Sequence, residues 1–175
     1  MDMALYSTGF GVCGCMTLEA CTDRELPEKV RVLMAHQRDA PIHIRMMTQQ
    51  IHDFNLPDGQ TFLAQAKRLV AFKEAVISIV YDPKMVDDKG EAFLQDLVDA
   101  GVRVFPKRAA HAKMVLLESR NEKGVLLMSA NLTPNGQWKA KETGIFILND
   151  FEEVFSKLYG YIGALLKEGP DQVVV

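Results

Sequence analysis

Apolar positions recur along the chain with two periods. From Ala75 to Tyr81 the run is almost unbroken and β-branched, and it ends at Asp82-Pro83, the pattern of a strand covered on both faces. Helical spacing governs the segments on either side. After Asp58-Gly59, the residues Phe62, Leu63, Ala66, Leu69 and Val70 form one stripe, with Gln65, Lys67 and Arg68 opposite. After an Asp88-x-x-Glu91 capping box, Phe93, Leu94, Leu97 and Val98 form another, and Gly101 stops it. Ile42-His43-Ile44 after Pro41 begins a strand, and Val102 to Phe105 is the next one after the second helix. The middle of the chain therefore reads β-α-β-α-β.

Beyond Pro106 the pattern changes. His111 to Glu118 and Val125 to Asn131 are strands joined by an Asn121-Glu122-Lys123-Gly124 turn, which predicts an antiparallel hairpin. A loop containing Pro134, Gly136 and Trp138 precedes a strand from Glu142 to Leu148. Asp150-x-x-Glu153 then caps a helix whose apolar residues, from Phe151 through Phe155 and Ile162 to Leu166, predict burial along most of its length. The fold class is α/β, a mixed β-sheet flanked by helices on both faces. Residues 1–40 are expected to form an N-terminal arm with one short helix from Leu26 to Arg38 after Asp23, and 41–175 the main domain.

The hairpin carries the chemistry. On a strand, side chains two apart share a face, so His111 and Lys113 point together, as do Ser129 and Asn131 on its partner. The hairpin puts both pairs at one edge. An imidazole, an ammonium, a hydroxyl and an amide then converge on a space that fits a phosphate.

These residues resemble the signature of the phospholipase D superfamily, His-x-Lys, four residues, Asp, then Gly-Ser-x-Asn. The chain reads His111-x-Lys113, four residues, Glu118, then Met128-Ser129-Ala130-Asn131. Glu118 stands where the family usually has Asp, and Met128 where it usually has Gly. Glu142 is similar in position to the carboxylate that orients the histidine in small nucleases of the family. The resemblance implies a phospholipase D-like α-β-α sandwich over residues 41–175 and a metal-independent phosphodiesterase that needs no cofactor. In that reading His111 is the nucleophile and forms a covalent phosphohistidine. Glu142 orients it, and Lys113, Ser129 and Asn131 stabilise charge. One His-x-Lys cannot serve both sides of an in-line displacement, so a homodimer with a shared site is expected.

Charge bears on the substrate. The whole chain carries −3, but Arg103 to Lys141 holds eight basic residues and two acidic ones, so this segment carries +6 and the remainder −9. Lys107, Arg108, Lys139 and Lys141 are therefore candidate contacts for a nucleic-acid backbone, DNA or RNA, which makes a nuclease the leading reading. The alternatives are a phospholipid hydrolase or transferase of the same superfamily and a catalytically silent binding or scaffold module. No apolar run approaches the roughly 20 residues that span a bilayer, and a cytoplasmic address without stable membrane association is expected. Cys13, Cys15 and Cys21 fit neither a disulfide framework nor a standard zinc spacing, even with His36 added, and read as reduced thiols. His36, His43 and His52, the remaining candidates for a second imidazole, read as surface or core residues.

Overall fold

A computed structural model describes residues 17–22, 24–35, 41–73, 75–138, 141–149 and 151–167. Seven strands form one sheet: β1 (Thr17–Thr22), β2 (Ile42–Thr48), β3 (Ala75–Tyr81), β4 (Arg103–Pro106), β5 (Lys113–Glu118), β6 (Lys123–Met128) and β7 (Thr143–Leu148). Their order is β1-β7-β6-β5-β2-β3-β4. β2, β3 and β4 are parallel, while β5, β6, β7 and β1 continue the sheet antiparallel. The helices are α1 (Leu26–Ala35), α2 (Phe62–Lys73), α3 (Asp88–Asp99), α4 (Pro134–Trp138) and α5 (Glu152–Lys167).

The mixed α/β sheet follows from alternation along the strands. Ile77 and Ile79 of β3, with Val115 and Leu117 of β5, face the core under α1, α2 and α3, where Leu33, Phe62 and Leu69 are fully buried. Val80, Leu116 and Met47 point the other way, onto Phe155 and Ile162 of α5. Helices thus cover both faces, as the patterning predicts.

Several boundaries differ from the sequence reading, each for a local reason. The span expected as an arm supplies β1, which pairs with β7, and α1, whose Leu26, Val30 and Leu33 enter the main core. Asp23, its expected cap, and the cysteines Cys13 and Cys15 lie outside the described residues, while Cys21 is buried. α2 starts after Thr61, whose Oγ1 accepts the Ala64 N–H at 3.1 Å, and not at Asp58-Gly59. α3 is capped by Asp87, one residue before the expected box, because its carboxylate accepts the Gly90 N–H at 2.9 Å. Its other end closes as expected at Gly101, with a positive φ of 86° and hydrogen bonds from Gly101 N to Val98 O and from Val102 N to Leu97 O.

Gly124 belongs to β6 and not to the turn: a Cβ there would run into Leu33 Cδ2, so the glycine lets α1 approach the sheet. The hairpin turns instead through 119–122, closed by Ser119 N to Glu122 O at 2.8 Å. The expected 134–138 loop is the short helix α4, capped by Thr133 Oγ1 on the Gly136 N–H with Pro134 at its first position.

α5 departs most from expectation. Only Phe155 and Ile162 are buried, while Phe151 and Val154 are exposed, because no other described helix packs beside it on that face. It is held to the sheet by a polar clamp. The Arg45 guanidinium lies 3.5 Å from the Tyr159 ring centre and donates to the Tyr159 carbonyl at 2.9 Å. The Tyr159 hydroxyl in turn donates to Glu118 at the end of β5. Burial first, and then the Glu118 carboxylate, pushes that hydroxyl up to about 12.

A phenol whose folded pKa is raised favours folding below its unfolded pKa and loses that contribution as pH rises through the folded value. Stability is therefore expected to fall between about pH 10 and about 12 in urea titrations. Tyr159→Phe, which cannot titrate, is expected to lack that part of the alkaline loss. Equal alkaline loss in both proteins would show that the clamp carries no such linkage.

Candidate active site

Four strand ends meet at one edge of the sheet. β2 ends at Thr48, β5 begins at Lys113, β6 ends at Met128 and β7 begins at Thr143. The Met47–Met114, Lys113–Met128 and Met128–Gly144 pairings place these ends side by side. β5 starts at Lys113 and not at His111, so the histidine stands just beyond the ladder and is exposed.

The turn before it is pinned. Ala109 has a positive φ of 60°, and its N–H donates to buried Asp82 Oδ2 at 3.1 Å. Asp82 follows β3, and Lys107 N bonds Tyr81 O at 2.8 Å beside it. His111 is thereby tied to the end of β3, which the sequence reading did not anticipate; Asp82-Pro83 was legible only as a strand stop.

Lys113 is half-buried, and its Nζ lies 3.5 Å from His111 Nδ1 and 3.4 Å from Nε2. Both distances are at the long limit of a hydrogen bond, so the ammonium sits beside the ring without belonging to one nitrogen. Burial lowers the Lys113 pKa below the ordinary lysine range, and the Glu142 carboxylate draws it back up.

Ser129 continues the β6–β7 pairing past the strand end: its N–H bonds Thr143 O at 2.9 Å, and its Oγ accepts the Thr143 N–H at 3.0 Å. The Ser129 hydroxyl donates to Glu142 Oε2. Glu142 is thus joined to Ser129 by a hydrogen bond and to Lys113 through its charge.

Asn131 is clamped from two sides. Its Oδ1 faces the backbone N–H groups of Gln49 and Gln50 at 3.2 and 3.3 Å and the Thr48 hydroxyl at 3.4 Å. Backbone N–H groups only donate, so the atom facing them is the amide oxygen, and the NH2 points away from them. The Asn131 carbonyl accepts Thr133 N at 2.9 Å and Gln137 Nε2 at 3.0 Å. Gly136 allows this approach: a Cβ there would lie 2.5 Å from Asn131 O and 2.9 Å from Asn131 N. Thr48, Asp82, Gly136 and Gln137 are the supporting residues that motif reading passed over. Of these, Asp82 was legible as a strand stop and Gly136 as part of a loop.

Met128, where the resemblance led to an expected glycine, is buried in the main core, with its sulfur 3.7 Å from Gln137 Nε2. Glu118 lies at the other end of β5, roughly 17 Å from Lys113 at about 3.4 Å per residue, and serves the Tyr159 clamp. Lys107 and Arg108 lie on the turn leading to His111, and Lys141 precedes Glu142; Lys139 and His36 lie outside the described residues. Neither remaining candidate imidazole joins the cluster. His43 sits near the start of β2, opposite Glu118, and His52 Nε2 is 3.4 Å from Asp87 Oδ1. A cleft of about 440 Å3 lined by residues including Arg120, Lys123, Asn149 and Phe151 opens at that far end of the sheet and shares no residue with this cluster.

The same arrangement of strands and helices occurs in Nuc, a phospholipase D family member from Salmonella typhimurium. The TM-score is 0.66 at 18% identity, over 89% of this chain and 97% of that one. The fold is that of the phospholipase D superfamily. NucT from Helicobacter pylori is also similar, with a TM-score of 0.62 at 15% identity over 88% of this chain and 98% of that one. Polyphosphate kinase from Porphyromonas gingivalis matches with a TM-score of 0.66 at 14% identity, over 90% of this chain but 27% of the kinase. No protein-family pattern matches the chain, and no curated protein is similar to it by sequence. On the phospholipase D fold, the described helices include none long and apolar enough to cross a membrane.

Two measurements test this geometry. Glu142→Gln removes the charge that raises Lys113, so the Lys113 pKa followed by NMR titration is expected to fall further; an unchanged or higher value would contradict the placement. Gly136→Ala forces a methyl against the Asn131 backbone and is expected to cost about 1–3 kcal/mol in urea unfolding. A neutral effect would mean that the approach is looser.

Proposed function

We propose that the protein is a metal-independent phosphodiesterase of the phospholipase D type that acts as a nuclease. The observation that carries the proposal is the placement of the Lys113 ammonium 3.4–3.5 Å from both ring nitrogens of an exposed His111, on the same sheet edge as an Asn131 amide whose NH2 points away from the Gln49 and Gln50 N–H groups. An uncharged imidazole is a competent nucleophile near neutral pH, and the cation and amide beside it meet the negative charge on the non-bridging phosphate oxygens.

In the proposed reaction a His111 nitrogen attacks phosphorus in line with the leaving oxygen. An N–P bond forms as the P–O bond breaks, and the leaving oxygen takes a proton from the imidazolium of a second copy's His111. Water then attacks the phosphohistidine, gives its proton to that second imidazole, and releases His111. Lys113 and Asn131 hold the phosphate throughout. Glu142 accepts Ser129 through Oε2, and its carboxylate has a second oxygen with which to orient the His111 ring. When Glu142 turns to the imidazole, the Ser129 hydroxyl keeps its proton and donates its hydrogen bond to a phosphate oxygen instead. Lys107, Arg108 and Lys141 supply backbone-neutralising charge around this edge, and Lys139, which lies outside the described residues, is a candidate by sequence alone. The acid opposite His111 comes from a homodimer, and the proposed site of action is cytoplasmic.

His111→Ala is expected to remove cleavage of a labelled oligonucleotide by at least on the order of a thousandfold, with EDTA leaving the wild type unaffected. Mixed dimers with one His111→Ala copy are expected to be inactive, since each composite site needs both imidazoles. Mixed dimers with half the activity would show that each copy works alone. Turnover of vesicle phospholipid without oligonucleotide cleavage would move the substrate from nucleic acid to lipid.

A further inference from the structure

We infer that Thr48 is a positioning residue for this site, acting through Asn131; the inference rests on the phosphodiesterase reading. Thr48 is the last residue of β2 and is fully buried, although its side chain is polar. Its Oγ1 accepts the Leu132 N–H at 3.1 Å and donates to Gln50 O at 2.7 Å, with Asn131 Oδ1 a further contact at 3.4 Å. A hydroxyl has one proton, and the shorter contact takes it, so the proton belongs to the Gln50 carbonyl. One buried oxygen therefore joins the end of β2 to the backbone on both sides of the site: the 49–50 turn and the residue after Asn131.

The consequence falls on the Asn131 amide. A planar amide on a short side chain has two orientations related by a half-turn, and only one presents the NH2 to a phosphate. The Gln49 and Gln50 N–H groups select that orientation by binding Oδ1, and Thr48 holds the turn that carries them. The parallel Ile51–Leu132 bridge and the His52 N to Leu132 O bond at 2.9 Å extend the same tie. Without the hydroxyl, Gln50 O and Leu132 N lose a buried partner, the turn relaxes, and the amide is free to rotate. A misplacement of this kind weakens transition-state contacts more than it weakens binding.

Thr48→Val keeps the shape and removes the hydroxyl; Thr48→Ser restores the hydroxyl. Thr48→Val is expected to lower kcat on the order of tenfold to a hundredfold with KM changed by less than about threefold, and Thr48→Ser to recover most of kcat. The spectroscopic readout is the Asn131 side-chain NH2 pair in 15N-labelled full-length protein titrated with inorganic phosphate. The wild type and Thr48→Ser are expected to show that pair shifting with phosphate, and Thr48→Val to show a much smaller shift. Asn131→Asp keeps an acceptor toward the two N–H groups and removes the donor, so it is expected to retain thermal stability and lose turnover.

A wild type whose Asn131 NH2 pair ignores phosphate overturns the phosphodiesterase reading and this inference together. A responding wild type with a folded Thr48→Val that matches it in kcat and in the NH2 shift overturns this inference alone. If Thr48→Val does not fold, a folded Thr48→Ser that loses turnover and NH2 shift overturns the inference in the same way.

Discussion

The antiparallel register that sets Lys113 opposite Met128 governs everything at the candidate site. Strand side chains alternate with a period of two, so a slip of one residue would carry Lys113 to the α5 face and Met128 out of the core. The register is enforced from both sides of the sheet. Val115 and Leu117 are committed to the core under α1, α2 and α3, while Met114 and Leu116 are committed to the core under α5. Gly124 adds a close-contact constraint, because only a glycine opposite Leu117 leaves room for Leu33. Burial of apolar side chains far from the chemistry therefore decides where the ammonium stands.

Once the register is set, the polar groups at the strand ends have to be satisfied, and satisfying them builds the site. Leu132 N finds the Thr48 hydroxyl, Gln49 and Gln50 N find Asn131 Oδ1, Thr143 N finds Ser129 Oγ, and Ala109 N finds Asp82. Each of these bonds also fixes the direction of a side chain or of the turn that carries one. The far end of the sheet has a cleft of about 440 Å3, yet its Lys123 is paired with Glu152, and Glu118 is taken up by Tyr159. At the edge that holds His111, donors converge while the imidazole stays exposed.

The two faces of the sheet are unequal. Three helices and the short α4 lie on one side, and α5 alone is seen on the other among the described residues. A single helix can bury only the stripe that touches the strands, which is why Val154 and Tyr161 stay exposed although the segment is rich in apolar residues. The Arg45–Tyr159 stack and the Glu118 hydrogen bond hold this lone helix by directional contacts that a broad apolar seam would otherwise supply. The Glu at position 118 thus serves the docking of α5, at a distance from the candidate chemistry.

Much of this was legible along the chain. The strand at Ala75 to Tyr81, the helix closed by Gly101, the antiparallel hairpin and the mixed sheet with helices on both faces rest on period, turn chemistry and caps, all of which act over a few residues. The residue types gathered at His111, Lys113, Ser129, Asn131 and Glu142 were also visible, because their spacing is local. The inclusion of β1 and α1 in the sheet and core, the purpose of Gly124 and Gly136, the direction of the Asn131 amide and the ties to Thr48 and Asp82 were decided only by the tertiary structure. The ties to Asp82 and Thr48 join residues 27 and 84 positions apart, the others join distant segments or depend on what packs against a backbone, and no period along a chain encodes the neighbour that folding brings to a buried atom.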